Sequence, residues 1–161
     1  MKTIKNGIVI LNLLLFLGFI NWSIAHKEQT LADGKLVLLR LAPVDPRSLI
    51  QGDYMRLRYA ISDDINADSI SKVGFVILEL DDKKVGSRIS LQPELNPIKP
   101  NQVAVKYFAP DDWAFRIGAE SFFFQEGQAN KYEKAVFGGL RVDDAGNSLL
   151  VGLYDSTYVK L

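Results

Sequence analysis

Two short segments hold most of the side chains in this sequence that could do chemistry. Residues 45–59 include Arg47, whose guanidinium can bind a carboxylate through two parallel hydrogen bonds. Residues 116–127 place Glu120 just before the consecutive phenylalanines at 122–124. A carboxylate among phenyl rings is destabilising unless a basic group pairs with it. We therefore expect Glu120 to pair with an arginine, and the candidates are Arg47, Arg58 and Arg116.

We expect these two segments to form one binding face of the folded protein. The residues predicted for that face are Arg47, Asp53, Tyr54, Arg116, Glu120 and Glu126. For Arg47 we favour an ion pair inside the protein, with a carboxylate such as Glu120 or Glu126, over an external anionic ligand, although a carboxylate from either source matches a guanidinium. Segments that meet around an open groove would indicate a site, whereas segments buried against each other would indicate scaffolding.

The composition gives little support to catalytic or metal chemistry. The sequence has no cysteine, which excludes thiolate catalysis and zinc–thiolate sites. Its single histidine, His26, directly follows an uncharged stretch that could end at a membrane surface, and this position excludes a multi-histidine metal site and a Ser-His-Asp triad. We predict no catalytic, cofactor-binding or metal-binding residues. One enzymatic alternative stays open, because Glu120 and Glu126 could act as an acid–base pair in a hydrolase of envelope polymers.

An uncharged stretch at residues 8–25 is the strongest signal in the sequence. As a helix it would be about 27 Å long, close to the roughly 30 Å hydrocarbon core of a bilayer. Lys2 and Lys5 precede it, so the positive-inside rule puts the N-terminus in the cytoplasm and the rest of the chain across the membrane. A signal peptide cleaved after Ala25 also fits this pattern. We favour the uncleaved anchor, because good helix formers continue beyond Ala25.

The remainder of the chain has the size and charge of one globular domain. Without Lys2 and Lys5, the 19 basic residues fall to 17 against 19 acidic ones, a net charge of −2. This balance gives no electrostatic footprint for nucleic acid. We divide the chain into a cytoplasmic n-region (1–7), a transmembrane signal-anchor helix (8–25), a helical stalk ending at Gly34 (26–34) and the domain (35–161).

Residues 35–161 have the pattern of short strands separated by turns. Polar and apolar side chains alternate over residues 54–61, which is typical of a half-buried strand. The predicted strands are residues 35–42, 54–61, 73–80, 85–91, 103–108, 113–124, 136–142 and 148–154. We predict a mainly β fold, an antiparallel barrel-like or sandwich-like domain of seven or eight strands with few short helices, on an N-terminal transmembrane helix.

Residues 52–59, with the sequence Gly-Asp-Tyr-Met-Arg-Leu-Arg-Tyr, resemble the signature of the GDYXXLXY family. Residues 41–49 and 116–127 are also similar to that family's pattern. The resemblance implies a bacterial membrane-anchored protein, often encoded beside multi-span membrane proteins, and it implies no activity. On this basis we expect a single-pass protein of the bacterial inner membrane with its domain in the periplasm.

These expectations combine into one preferred function and one further alternative. We expect the periplasmic domain to be a binding or accessory module whose partners are the lipid bilayer and a multi-span membrane protein. The alternative is a secreted small-ligand binder, released by cleavage after Ala25, with a cavity lined by Phe115, Phe122 and Phe124. No cofactor is expected in either case.

Overall fold

A long N-terminal helix precedes the β domain. The structure is a computed structural model and describes residues 2–42, 54–65, 70–111, 114–125 and 127–161. Helix α1 is Lys2–Asp33. Within it, Lys5–Asp33 is long and apolar enough to cross a membrane, with a mean hydropathy of 2.2 in its most apolar part. Most large apolar side chains between Ile8 and Ile24 are exposed, as they would be if they faced lipid.

Helix α1 ends where the sequence places a glycine. The backbone N–H of Gly34 donates to Thr30 O at 3.0 Å. A side chain at Gly34 would clash with that same oxygen, so glycine allows the chain to leave the helix in a tight turn. The prediction that the helix stops at Gly34 is confirmed.

Short strands make up most of the domain after Gly34. In chain order the elements are β1 Lys35–Arg40, β2 Tyr54–Arg56, a 3-10 turn Ala60–Ser62, β3 Val73–Leu80, β4 Gly86–Gln92, β5 Gln102–Asp111, β6 Ala114–Arg116, β7 Ser121–Phe123, α2 Ala129–Tyr132, β8 Phe137–Val142 and β9 Ser148–Tyr154. Among the described residues, the strands form three antiparallel sheets in the orders β1-β8-β9, β2-β7 and β4-β3-β5-β6, and none of the sheets closes on itself. The predicted mainly antiparallel β fold with an N-terminal apolar helix is confirmed.

The strand predicted at residues 113–124 is wrong as a single element. It divides into β6, which pairs with β5, and β7, which pairs with β2 in a different sheet. Gly118 lies between them at φ +80°, a conformation that glycine adopts without steric cost. Glu120 then accepts a hydrogen bond from the backbone N–H of Ile117 at 2.6 Å, which stabilises the corner. The strand predicted at residues 54–61 is also shorter than expected, because it gives way to the 3-10 turn.

Backbone hydrogen bonds join the three sheets into one body. Leu38 N–H donates to Lys84 O at 2.8 Å, which links β1 to the turn before β4. Ala42 N–H donates to Arg58 O at 2.8 Å, which links the end of β1 to the segment after β2. The β1 segment is therefore bonded to elements of both other sheets, although no sheet forms a closed barrel.

The core lies between the inner faces of these sheets. Its largest fully buried side chains come from β1, β3, β5, β8 and β9, and they are Leu39, Leu78, Leu140, Leu153, Val37, Val76, Val105 and Val142. Burial of one such side chain stabilises the fold by about 1.5–3 kcal/mol. The long β strands thus form the scaffold, and the short strands β2, β6 and β7 lie against it.

The end of α1 is fixed to the turn between β8 and β9. Thr30 is only 4% exposed, and its hydroxyl lies 3.2 Å from Asp143 Oδ2. His26 Nε2 lies 3.7 Å from the same oxygen. Arg141 Nη1 donates to Gly34 O at 2.7 Å. These contacts hold the helix and the domain together at the point where α1 ends.

Candidate functional site

A cleft of about 490 Å³ opens where the two polar segments meet. One wall comes from residues 56–62 and the other from residues 115–121. Its polar lining includes Arg56, Arg58, Ser62, Arg116, Glu120 and Ser121. We call it the arginine cleft, because three arginines line it together with one glutamate.

Two hydrogen bonds join the segments beneath the arginine cleft. The hydroxyl of Tyr59 donates to Ala119 O at 2.7 Å, and Leu57 N–H donates to Glu120 O at 2.7 Å. Leu57 and Tyr59 are 4% and 3% exposed, so their side chains belong to the core. Arg56 and Arg58 alternate with them along the chain and are exposed. The segments therefore combine both predicted outcomes, because the buried Leu57 and Tyr59 are scaffolding that also lines the cleft, and the exposed Arg56 and Arg58 line it as well.

One oxygen of the Glu120 carboxylate is held by a backbone N–H group. Its Oε1 accepts the N–H of Ile117 at 2.6 Å, in the corner formed at Gly118. The prediction that Arg58 could neutralise Glu120 is wrong, because Arg58 Nη2 pairs with Asp63 Oδ1 at 2.5 Å instead. A short local turn brings Arg58 and Asp63 together, whereas Glu120 is held by its own corner.

Tyr59 is the most strongly perturbed ionisable group next to the cleft. Burial, and after it the negative charge of Glu120, raises the pKa of Tyr59 well above its ordinary value of 10.0. The phenol therefore keeps its proton at any physiological pH. It acts as a hydrogen-bond donor to Ala119 and not as a base.

Arginine side chains give the cleft its positive character. Arg56 in β2 lies opposite Ser121 in β7, and both residues are exposed. Arg116 at the end of β6 is also exposed on the cleft wall. Next to the cleft, Arg88 Nη1 donates to Ile61 O and to Asp63 O, which fixes the loop carrying the partner of Arg58. Guanidinium groups suit a polar or anionic ligand, and of those at the cleft Arg58 is already paired with Asp63.

The structure brings together Arg116 and Glu120 from the set predicted by sequence. For Tyr54 it describes the backbone, which pairs with Phe123 in the β2–β7 sheet. The remaining predicted residues, Arg47, Asp53 and Glu126, lie outside the described residues. The binding role of the whole set stays a prediction.

Sequence reasoning missed Arg56 as a cleft residue and assigned Arg58 only as a partner for Glu120. The signal was present, because alternation over residues 54–61 placed both arginines on the face opposite Leu57 and Tyr59. An exposed arginine on a half-buried strand resembles any solvated side chain, however. Only the approach of residues 115–121 makes that face a cleft.

The three phenylalanines expected to line one cavity have different aromatic partners. Phe115 lines the arginine cleft and packs against Tyr107, with ring centroids 5.1 Å apart. Phe122 and Phe124 instead pack around Tyr132 of α2, at 4.9 Å and 5.3 Å. A cavity shared by all three rings stays a prediction. The two later rings anchor α2 to β7.

A metal centre has no ligand set in the part of the chain that the structure describes. No group of three or more histidine, aspartate or glutamate side chains converges there. In the arginine cleft, a single glutamate stands among guanidinium and hydroxyl groups. This chemistry suits recognition through hydrogen bonds and charge.

Comparison with models of protein families gave a match over most of the chain. The model of a family described as GDYXXLXY protein matches residues 16–153, which covers most of the chain. No curated protein and no solved structure gave a match. The matched range includes both walls of the arginine cleft and the part of α1 from residue 16 onward.

Proposed function

We propose that this chain, which belongs to the GDYXXLXY family, is a membrane-anchored binding module. Its β domain binds a membrane-protein partner through the arginine cleft. The observation that carries this proposal is the meeting of the two family-like segments around an open cleft with three arginines. Arginine is favoured at binding surfaces because its planar guanidinium makes several directed hydrogen bonds.

The junction between α1 and the domain favours a partner in the same membrane. Thr30, which contacts Asp143 in the β8–β9 turn, lies five residues beyond Ala25. Five helical residues span about 7.5 Å, so the domain begins close to the end of the apolar stretch. A domain fixed at that distance meets other proteins of the same membrane at a high effective concentration.

We further propose that the membrane is the bacterial inner membrane and that the domain lies in the periplasm. Lys2 and Lys5 on the N-terminal side of the apolar stretch support this orientation through the positive-inside rule. The absence of native cysteine allows a direct test, since a cysteine replacing the exposed Asp82 would be the single thiol of the chain. We expect a membrane-impermeant maleimide to label it in intact spheroplasts. Labelling only after lysis would place the domain in the cytoplasm.

The cleft itself is tested by co-purification from detergent-solubilised native membranes. We expect Arg56→Ala and Arg116→Ala to lower recovery of the partner about tenfold each, which corresponds to roughly 1.4 kcal/mol. Lys83→Ala is the matched control, because Lys83 is an exposed cation in the β3–β4 turn, away from the cleft.

The co-purification result has a clear opposing outcome. If both arginine variants keep the melting temperature and the partner recovery of the wild type, the arginine cleft is not the contact surface. A protein recovered in soluble form after osmotic shock, beginning at His26, would instead support the secreted alternative. That outcome would remove the anchor on which the proposal depends.

A further inference from the structure

Two asparagines interrupt the apolar surface of α1. Asn12 Nδ2 donates to Ile8 O at 3.0 Å, and Asn21 Nδ2 donates to Leu17 O at 2.8 Å. Both side chains are exposed on the helix surface. They are the polar amide side chains of residues 8–25, which carry no charged residue.

Each amide retains hydrogen-bonding capacity beyond this local bond. A carboxamide has two N–H donors and an oxygen that accepts two hydrogen bonds, and the bond to the preceding turn uses one donor. With residues 8–25 across a bilayer, Asn12 and Asn21 each lie about 7 Å from the mid-plane, within the hydrocarbon core. No water is available at that depth, so the remaining amide groups favour a polar partner on a neighbouring helix.

The two amides point in opposite directions. Asn12 and Asn21 are nine residues apart, which is about 2.5 turns at 3.6 residues per turn. Phe19 lies on the side of Asn12, at a spacing of seven residues. Leu14 and Gly18 lie on the side of Asn21, and a Cβ added at Gly18 would meet nothing within 4 Å. The helix therefore presents a polar group on each of two opposed faces.

Opposed faces select among the ways in which α1 can associate. A symmetric dimer buries one face of each helix and leaves the other amide in lipid. In a small closed ring of identical helices, both neighbours of a helix lie towards the ring centre. Two amides on opposite faces of the helix therefore cannot both face a neighbour. A helix inserted between two different helices, by contrast, satisfies both amides at once.

We propose that α1 packs between two transmembrane helices of the multi-span partner, with Asn12 and Asn21 each hydrogen-bonded to a different one. This inference rests on the proposed function and assigns part of the partner contact to the membrane-spanning helix. The β domain and α1 then bind the same protein at two places. A contact of this kind gives avidity beyond that of the arginine cleft alone.

Photo-crosslinking in intact native membranes tests the geometry. A photoreactive residue is placed at Leu14 in one variant of the full chain and at Phe19 in another, so that both asparagines stay in place. We expect adducts from both positions, mapped by mass spectrometry to two different transmembrane segments of one multi-span protein. Adducts only to a second copy of this chain, or only to lipid, would overturn the inference.

Substitution of the amides supplies the energetic test. We expect Asn12→Leu and Asn21→Leu each to reduce the adduct yield about threefold, and the double variant to reduce it about tenfold. Leucine makes the stretch more apolar, so insertion into the membrane is preserved. Leu13→Ala is the control, because Leu13 lies on a flank between the two faces. Unchanged yields in both leucine variants would contradict the inference.

The two levels of proposal fail in different ways. If the proposed function is wrong, the wild-type chain yields neither a co-purified membrane protein nor a protein adduct. If only this inference is wrong, co-purification still depends on Arg56 and Arg116, while Asn12→Leu and Asn21→Leu have no effect.

Discussion

Replacing Tyr59 with phenylalanine tests one of the hydrogen bonds that join the two walls of the arginine cleft. The substitution keeps the ring in the core and removes the hydroxyl that donates to Ala119 O at 2.7 Å. Tyr59 and Ala119 are both 3% exposed, so water does not readily replace the lost donor. A buried carbonyl that loses its partner costs about 1–3 kcal/mol. We expect the variant to lose about 1.5 kcal/mol of unfolding free energy near neutral pH.

The same substitution should change the response of the protein to high pH. Because burial and the charge of Glu120 raise the pKa of Tyr59, the unfolded chain loses this proton first as the pH rises. The contribution of neutral Tyr59 is complete below about pH 10 and declines by about 1.4 kcal/mol per pH unit above it, until the folded-state pKa is reached. Tyr59→Phe lacks this decline. The stabilities of wild type and variant should therefore converge near pH 11.

Urea denaturation of the full chain in detergent, followed by circular dichroism between about pH 7 and pH 11.5, measures both effects. Tyr158→Phe is the control, because Tyr158 is 39% exposed and stacks on Phe137 through its ring. We expect this control to keep the stability of the wild type near neutral pH. The reasoning is refuted if Tyr59→Phe is as stable as the wild type at pH 7, or if the difference between them stays constant above pH 10.

Two further predictions concern the turns that hold the elements in place. Asp143→Ala removes a carboxylate that accepts the backbone N–H groups of Ala145 and Asn147 and contacts Thr30, so we expect a loss of about 2–3 kcal/mol in urea denaturation. Burial raises the pKa of Asp143, but its hydrogen bonds outweigh that effect and hold the pKa below its ordinary value. This stability is therefore present above about pH 4 and is lost as the pH falls through the folded-state pKa, and a flatter acid-denaturation profile for Asp143→Asn would support it. Gly118→Ala should lower stability by about 1 kcal/mol through backbone strain at φ +80°, since the new Cβ meets nothing within 4 Å, and an unchanged melting temperature would contradict this.

Hairpins and single strands could be predicted from the sequence because their signals are local. The turn at residues 81–84 and the turn at residues 143–147 each separate two apolar runs, and β3–β4 and β8–β9 pair across them. Alternation over residues 54–59 correctly placed Leu57 and Tyr59 inside and the arginines outside. These features depend on which neighbours are apolar, and the chain itself records that information.

The candidate site depends on contacts between distant residues, which local patterns do not record. Tyr59 bonds to Ala119, which is 60 positions away in the sequence, and Leu57 bonds to Glu120 over a similar sequence separation. Aromatic residues at 113–124 favoured one long strand, because periodicity does not register the positive φ of Gly118 or the carboxylate that caps Ile117. Arg58 pairs with Asp63, which a local turn brings close to it, and not with the expected partner, Glu120.

The sequence by itself determined that this protein has an apolar helix of membrane-spanning length, a mainly antiparallel β domain and no cysteine or histidine cluster for catalysis. The sequence also contains residues 52–59, which resemble the signature of the GDYXXLXY family, and the family model matches residues 16–153. Only the tertiary structure decided that residues 56–62 face residues 115–121 across an open cleft, and that Asp143 holds the end of α1. The reason is physical: side-chain periodicity reports burial one residue at a time, whereas a cleft exists only after separate strands have paired and packed.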